Sequence, residues 1–251
     1  MFKREKVLVP ATSGQVGEVA GALIGEMNFS KEEARAIIGN MGVFRKSARQ
    51  FYAQFRINSV PDFSSDLTRW EGNYGKLFGL KQKPDLSAVR IPEKPEGIGP
   101  MRLIVVVLMD WMEERPFFHT QKALEEHFPC WQYTGDLDKE FTINDRHPKN
   151  GSYAVWVKDV QEAGEEFANK SVDDLVAEQY TGITVLERQL LEADVFFQKG
   201  EHLDRQNVTL CSGSRSRDGC VPSAFWLDRF RVRWCGASGR DPHLRSRRVW
   251  A

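Results

Sequence analysis

The chain has 251 residues and a mass of 28.8 kDa, enough for one large domain or two small ones. Hydrophobic residues make up 41% of it and charged residues 28%, which excludes a disordered or fibrous protein. The 35 Lys and Arg balance the 35 Asp and Glu, so the net charge indicates no partner.

No segment predicts a membrane span or a secretory leader. The longest aliphatic run, Leu103 to Met109, is far shorter than the roughly 20 residues that a spanning helix needs. The first residues include Lys3, Arg4 and Lys6, but no apolar signal core follows them. Four unevenly spaced cysteines do not make a disulfide framework. We therefore expect a cytoplasmic protein.

Residues 1–99 predict a helical region that ends in a Pro-rich connection. Ser30 and Glu33 have the spacing of a helix capping box, and apolar residues follow at three- and four-residue steps from Ala34 to Phe55. Residues 59–100 hold five of the 11 prolines and show little periodicity, which indicates connecting structure.

Residues 100–210 alternate between strand and helix patterns. Thr120, Ser171 and Thr184 are predicted N-caps, and the last two have an acidic residue three positions later. The predicted elements are strands over 103–108 and 153–157, and helices over 120–128, 171–179 and from Thr184 to Gly200.

The composition changes abruptly after Leu210. Residues 1–210 contain all 14 Lys, 20 Glu, 11 Gln and 6 Met of the chain, and residues 211–251 contain none of them. The same 41 residues carry nine arginines, three of the four cysteines and three of the seven tryptophans. Nine arginines against three aspartates give this segment a charge of +6.

The genetic code explains this bias better than low complexity does. Codons randomised at their first two bases and ending in C cannot encode Lys, Glu, Gln, Met or Trp. Four of these types are absent, and the fifth survives only at Trp226, Trp234 and Trp250. The segment therefore has the composition of a fixed frame whose other positions are filled by such codons.

The pattern in this segment is that of β-strands. In 231–235, Val232 and Trp234 share one face of a predicted strand, and in 223–226 Ala224 and Trp226 share one face. We expect these four residues to point inward. The residues between them are then expected to point outward.

Several stretches resemble the variable target proteins of diversity-generating retroelements, in an uncharacterised family from candidate-phylum bacteria. They cover roughly residues 100–251 and comprise Phe128-Pro129-Cys130-Trp131, Asn144-Asp145-Arg146, Tyr153 to Asp159, Gly200 to Asp204, Thr209 to Arg215, Val221-Pro222, Trp226, Trp234 and Leu244 to Arg247.

The resemblance implies an α+β fold in which residues 100–251 form a C-type lectin-like domain, in the variant shared with formylglycine-generating enzymes. It also implies that a reverse transcriptase rewrites adenines in the coding segment for residues 211–251. Residues 211–251 contain no Asn or Tyr, which template codons in such systems usually encode, so heavy mutation must be assumed.

The implied function is a non-enzymatic binding protein without a cofactor, whose ligand is an unknown protein or glycan. The predicted variable, ligand-binding residues are Ser216, Arg217, Cys220, Ser223, Phe225, Leu227, Phe230, Arg231, Arg233, Cys235, Asp241 and His243. The predicted scaffold residues are Trp226, Trp234, Arg245 and Arg247.

Other functions have weaker support. Cys211, Cys220, Cys235 and His243 lack the close pair of ligands that structural zinc sites use, so we predict no metal. The chain lacks the Glu-Pro-Asn and Gln-Pro-Asp triplets of calcium-dependent lectins. Scattered histidines and the acidic residues at 136, 138, 140 and 145 form no recognisable catalytic motif.

The main alternative is a nucleic-acid-binding module that uses the Arg-rich segment, with Phe225 and Trp250 as stacking partners. The complete absence of Lys after Leu210 argues against it, because a selected phosphate-binding surface normally includes Lys.

Overall fold

The structure, a computed structural model, describes Ser30, Glu32 and residues 62–251. The helix predicted from Ser30 to Phe55 lies almost entirely outside these residues. By their internal contacts, Phe63–Ala251 form one unit. The boundary that the sequence indicated between residues 99 and 100 therefore falls inside this unit.

The first helix of the unit, α1 (Ser64–Phe78), occupies part of the stretch that we predicted as connecting structure. That prediction was wrong. Trp70, Tyr74 and Leu77 are buried at helical spacing. The indole N–H of Trp70 donates to the Leu103 carbonyl at 2.7 Å. The prolines between residues 84 and 100 do lie in a connection without helix or strand.

Four more α-helices follow in the described part of the chain. They are α2 (Pro116–Glu125), α3 (Leu137–Glu140), α4 (Val172–Ala177) and α5 (Val185–Lys199). None of the described helices is both long and apolar enough to cross a membrane.

The capping predictions had mixed outcomes. Ser171 with Asp174 and Thr184 with Glu187 form capping boxes at the starts of α4 and α5, as predicted. Thr120 is not an N-cap, because α2 begins four residues earlier at Pro116 and Thr120 is buried within it. Proline fits the first turn, since its missing N–H needs no partner there.

Ten strands form three sheets in the described residues. They are β1 (Met101–Val106), β2 (Cys130–Gln132), β3 (Ile143–Asn144), β4 (Tyr153–Lys158), β5 (Val208–Leu210), β6 (Ser214–Arg215), β7 (Val221–Trp226), β8 (Phe230–Cys235), β9 (Leu244–Ser246) and β10 (Val249–Trp250). The orders are β1-β4-β10, β2-β8-β7-β5-β9 and β3-β6. The fold is therefore mixed α+β, as predicted.

Helix α5 lies at the centre of the unit, and every residue from Val185 to Val195 is buried. Its charged side chains are paired with residues of distant elements. Arg102 of β1 bonds Asp194 at 2.6 Å, and Arg146 bonds Glu187 at 2.7 Å. A buried helix with polar side chains requires such partners, because an unpaired charge in the interior is strongly destabilising.

The densest of these contacts surrounds Asp204, which is fully buried just after α5. Its carboxylate accepts hydrogen bonds from Arg247 at 2.6 Å, Arg188 at 3.0 Å and the Thr209 hydroxyl at 2.6 Å. The Ala163 backbone N–H donates to it at 3.0 Å. Burial alone would raise the pKa of Asp204, but the Arg247 and Arg188 guanidinium groups hold it below the ordinary value.

The Asp204 contacts extend to strand β7. Arg188 also donates to Glu192 at 2.7 Å, and Glu192 contacts His202 Nδ1 at 2.8 Å. The His202 ring stacks on Trp226 of β7, with ring centroids 3.3 Å apart and an interplanar angle of 4°. We call the set Arg247, Asp204, Arg188, Glu192 and His202 the buried network.

We predict that Asp204→Asn lowers the free energy of unfolding by about 3–5 kcal/mol, because it leaves the buried Arg247 without a counter-charge and leaves Arg188 with Glu192 alone. Denaturant titration near neutral pH measures this loss. The carboxylate's contribution is present above the unfolded-state pKa of about 4 and is lost as the pH falls through the lower folded-state pKa. The gap between wild type and variant should therefore shrink in acid.

Asp228→Asn is the matched control, since Asp228 also binds two arginines but is exposed. We expect it to change stability little. Equal losses from the two substitutions would show that the buried network does not hold the fold together.

Candidate binding surface on the C-terminal hairpin

Strands β7 and β8 form an antiparallel hairpin in which Val221 lies opposite Cys235 and Trp226 opposite Phe230. The three residues Leu227, Asp228 and Arg229 connect them. On the inner face, Ala224 and Val232 lie opposite each other in the core. Strand β2 runs parallel along the free side of β8.

The outer face is open at the end of the hairpin nearest the connecting loop. Phe225 and Arg231 lie opposite each other and are partly exposed, while Arg233 is exposed. Trp131 of β2 is in register with Arg231 and is 40% exposed. Leu227, in the loop, is 66% exposed. We call these five residues the open face.

The charge of the open face is partly neutralised by the neighbouring loop. The Asp228 carboxylate forms salt bridges with Arg231 at 2.6 Å and with Arg229 at 2.9 Å. Hydrogen bonds from Arg231 and Arg229 lower the pKa of Asp228 to about 2, so its carboxylate stays charged at any physiological pH. The Arg233 guanidinium lies over the Phe225 ring, 5.1 Å from its centroid.

At the other end, the outer face is covered. Helix α4 approaches there, and Val172 packs with Leu210 and Val221 in a small hydrophobic cluster against which Cys235 also packs. Ser223 lies opposite Arg233 and next to Leu210 in the sheet, and it is only 4% exposed. The prediction that Ser223 points into solvent is therefore wrong, because a second layer covers this part of the sheet. Cys235, also predicted to face solvent, is only partly exposed.

Two more predicted surface residues are buried. Ser216 closes the turn between β6 and β7: its backbone N–H donates to the Cys220 carbonyl at 2.8 Å and its hydroxyl accepts the Cys220 N–H at 3.0 Å. Phe230 is completely buried, because it falls on the inner face and packs beside Phe128 under the Arg188 guanidinium.

The two tryptophans of the hairpin differ. Trp226 packs against the core, stacked on His202 and edge-on to Phe128 at 5.8 Å. Trp234 shares the phase of Val232, as predicted, but is 51% exposed. The prediction that it is a core residue is wrong, because the core ends before it and its ring lies against Tyr133, 6.1 Å away.

The remaining predicted ligand-binding residues do not join the open face. Arg217 is exposed and Cys220 partly exposed in the turn after β6, which leads into the covered end of β7. Asp241 and His243 are exposed before β9, at the opposite edge of the five-stranded sheet from β2. The Asp241 carboxylate accepts the His243 N–H at 2.7 Å.

The two predicted scaffold arginines are both anchored. Arg247 is buried and donates to the carbonyls of Val160 and Gln161 as well as to Asp204. Arg245 is partly buried and donates to the Ala163 carbonyl at 3.4 Å.

Most arginines after Leu210 have partners inside the protein, which bears on the nucleic-acid alternative. Four of them form salt bridges with carboxylates: Arg229, Arg231, Arg240 and Arg247. Two donate to backbone carbonyls, Arg215 and Arg245. Two lie over aromatic rings, Arg233 and Arg248. A phosphate-binding track needs several arginines free on one surface. The segment does not provide such a track.

Three of the four cysteines have thiols whose pKa is raised by burial. Burial raises the pKa of Cys130 to about 12 and of Cys235 to about 11, and it raises that of Cys211 further, so these thiols are poor nucleophiles. No group of three His, Cys, Asp or Glu within the described residues has the geometry to hold a metal ion.

The acidic residues of 136–140 have structural roles. Asp136 caps α3 and pairs with Arg115 at 2.8 Å. Asp138 accepts the backbone N–H groups of Phe117 and Phe118 at 3.1 and 2.7 Å, which satisfies the first turn of α2. Burial raises the pKa of Asp138 to about 6.

Comparison with family models, with curated proteins and with solved structures found no match. The assignment of the open face therefore rests on geometry alone.

Four of the five open-face residues were predicted from the sequence, but Trp131 was missed. A three-residue strand carries no periodic signal, so its outward position becomes visible only through its register with β8.

Two matched pairs of substitutions test this assignment of faces. We predict that Phe230→Ala lowers the free energy of unfolding by about 3–5 kcal/mol and Trp226→Ala by a similar amount, as large core truncations do. Phe225→Ala and Trp234→Ala should cost less than half as much, because these side chains remain in contact with water. Chemical denaturation of the four variants measures these losses of stability. Equal losses for Phe230→Ala and Phe225→Ala, or for Trp226→Ala and Trp234→Ala, would contradict the assigned faces.

Proposed function

We propose that the protein is a non-enzymatic binding protein whose ligand contacts the open face, and that the open-face residues after Leu210 are diversified by a retroelement. One observation carries the proposal. Phe225, Leu227, Arg231 and Arg233 come together on one exposed surface, and all four belong to the segment that lacks Lys, Glu, Gln and Met.

The composition of the open face suits binding. Arginine and aromatic residues are enriched at protein interfaces, where a few such side chains supply most of the binding energy. Exposed Trp131 and Leu227 add apolar area beside them. The ligand is then a protein or glycan surface, rather than a nucleic acid.

The arrangement beneath the open face supports diversification. The inner face of the hairpin is fixed by the core, and Trp226 is joined to the buried network through His202. Substitutions at exposed positions usually change stability by no more than about 0.5 kcal/mol. The open face therefore can vary while the frame keeps its shape, as in an antibody loop set on a rigid sandwich.

Three residues that were predicted to be variable are buried in the structure, so fewer positions remain variable. Ser216, Ser223 and Phe230 belong to the frame in this proposal, because a free choice of residue there would disturb a turn or the core. Codons ending in C encode Ser and Phe, so the composition of the segment does not separate these frame residues from variable ones.

We also propose the finer fold assignment, a C-type lectin-like domain in the variant shared with formylglycine-generating enzymes. Two of the resembling stretches meet in space, which supports it. Ser246 contacts Ser212 at 3.1 Å, and its hydroxyl donates to the Leu210 carbonyl at 3.2 Å. The same C-terminal segment then continues into β10, which pairs with β4 in the other main sheet.

The absence of catalysis is part of the proposal. The raised thiol pKa values of Cys130 and Cys235 disfavour a cysteine nucleophile. The cytoplasmic location expected from the sequence stays a prediction.

The genomic surroundings test the proposal directly. We expect a near-identical repeat of the coding segment for residues 211–251 nearby, differing from it only at template adenines, together with a reverse transcriptase gene. The differing codons should concentrate at Phe225, Leu227, Arg231 and Arg233 and spare Phe230. A neighbourhood without such a repeat would remove the diversification hypothesis.

A further inference from the structure

We propose that the partner of the open face is an acidic protein segment, and that Trp131 is a constant anchor for it. The inference rests on the proposed function for the location of the binding surface. The acidic partner does not depend on how the residues of that surface arose, whereas the constancy of Trp131 does.

The shape of the open face favours a protein partner over a small molecule. Small-molecule sites are concave and enclose most of their ligand. No open-face residue lines the cavities of about 160 and 680 Å³ that are found among the described residues. The open face is part of a β-sheet, and its side chains are spread over three adjacent strands about 4.8 Å apart.

The charges of the open face favour an acidic partner. The ionisable side chains of the hairpin loop and of the outer faces of β7 and β8 comprise one carboxylate, Asp228, and the guanidinium groups of Arg229, Arg231 and Arg233. Asp228 pairs with the first two. Arg233 lies instead on the Phe225 ring. The surface therefore carries a net positive charge.

Arg233 has the environment of a carboxylate-binding group. Its guanidinium lies over the Phe225 ring, 5.1 Å from the ring centroid, and the fork of N–H donors of a guanidinium matches a carboxylate bidentately. Its neighbour Ser223 is uncharged, and Phe225 shields one side from water. A carboxylate approaching from solvent would meet an exposed guanidinium that Asp228 does not already bind.

A nucleic acid fits these observations less well. Asp228 already pairs with Arg229 and Arg231, so Arg233 is the hairpin guanidinium left without a carboxylate partner. One such group can bind a single carboxylate, but a phosphate backbone needs several free arginines along one surface. Arg240 is paired with Asp174, and Arg247 is buried against Asp204.

Trp131 contributes the apolar part of the surface. It is exposed, lies in register with Arg231, and comes from β2, which precedes the biased segment by about 80 residues of chain. It therefore stays constant when residues after Leu210 vary. Aromatic anchors next to arginines are frequent at binding hot spots. We expect apolar residues between the acidic residues of the partner.

The experiment uses the full chain and a short fluorescent peptide of alternating Glu and Leu, with binding followed by anisotropy at low and at physiological salt. We expect saturable binding that weakens as salt increases. The matched Lys–Leu peptide should not bind. Single-stranded and duplex DNA should bind at least tenfold more weakly than the acidic peptide.

Matched variants locate the contact. Arg233→Ala and Trp131→Ala should each weaken binding of the acidic peptide about tenfold. Their controls are Arg217→Ala, an exposed arginine in the turn after β6, and Trp111→Ala, a tryptophan that is 46% exposed elsewhere on the surface. Both controls should bind as the wild type does.

Three results would overturn the inference. They are no binding of the acidic peptide, tighter binding of DNA than of the peptide, and equal losses in the two arginine or the two tryptophan variants. These results are separate from the genomic test. A missing template repeat would remove diversification but leave peptide binding, whereas peptide failure beside an intact repeat would remove only the acidic partner.

Discussion

The carboxylate of Asp204 is the contact on which the rest of the unit depends. It joins three parts of the chain that are distant in sequence: Arg188 on the central helix, Thr209 on β5 and Arg247 near the C-terminus. Removing two charges from water costs several kcal/mol per ion, and that cost is offset only when every donor and acceptor is satisfied. The Asp204 carboxylate meets this condition with four donors, although Arg188 Nη2 lies 2.9 Å from it without forming a hydrogen bond. Arg188 also binds Glu192, Glu192 contacts His202, and His202 stacks on Trp226. The Asp204 contact is therefore linked to the hairpin through these side chains.

The division of the hairpin into two ends has a simple physical origin. Both of its strands alternate between an inner and an outer face, as any strand does. The outer face near Val221 is covered by α4 and the residues around Val172, whereas the outer face near Phe225 is not. The same alternation therefore produces the buried Ser223 at one end and the partly exposed Phe225 at the other. A binding surface is confined to the end where no second layer packs.

Local signals in the sequence predicted local structure well. The capping boxes at Ser171 and Thr184 and the helix end at Gly200 were predicted correctly, because the residues that fix them are only a few positions apart. Strand phase in the hairpin was also correct for Val232. The errors concern what packs on a face: Ser223 and Trp234 were assigned by alternation alone, and their exposure depends on α4 and on where the core ends. Helix α1 was missed because nearby prolines outweighed the spacing of Trp70, Tyr74 and Leu77.

The central claim is that the hairpin presents a replaceable surface on a fixed frame. A pair of displayed libraries tests it, with codons ending in C placed either at Phe225, Leu227, Arg231 and Arg233 or at Ser216, Ser223, Ala224 and Phe230. Sorting each library for protease resistance measures the fraction of folded members. The account predicts that most members of the first library resist the protease and most of the second do not. Equal resistant fractions in the two libraries would contradict it.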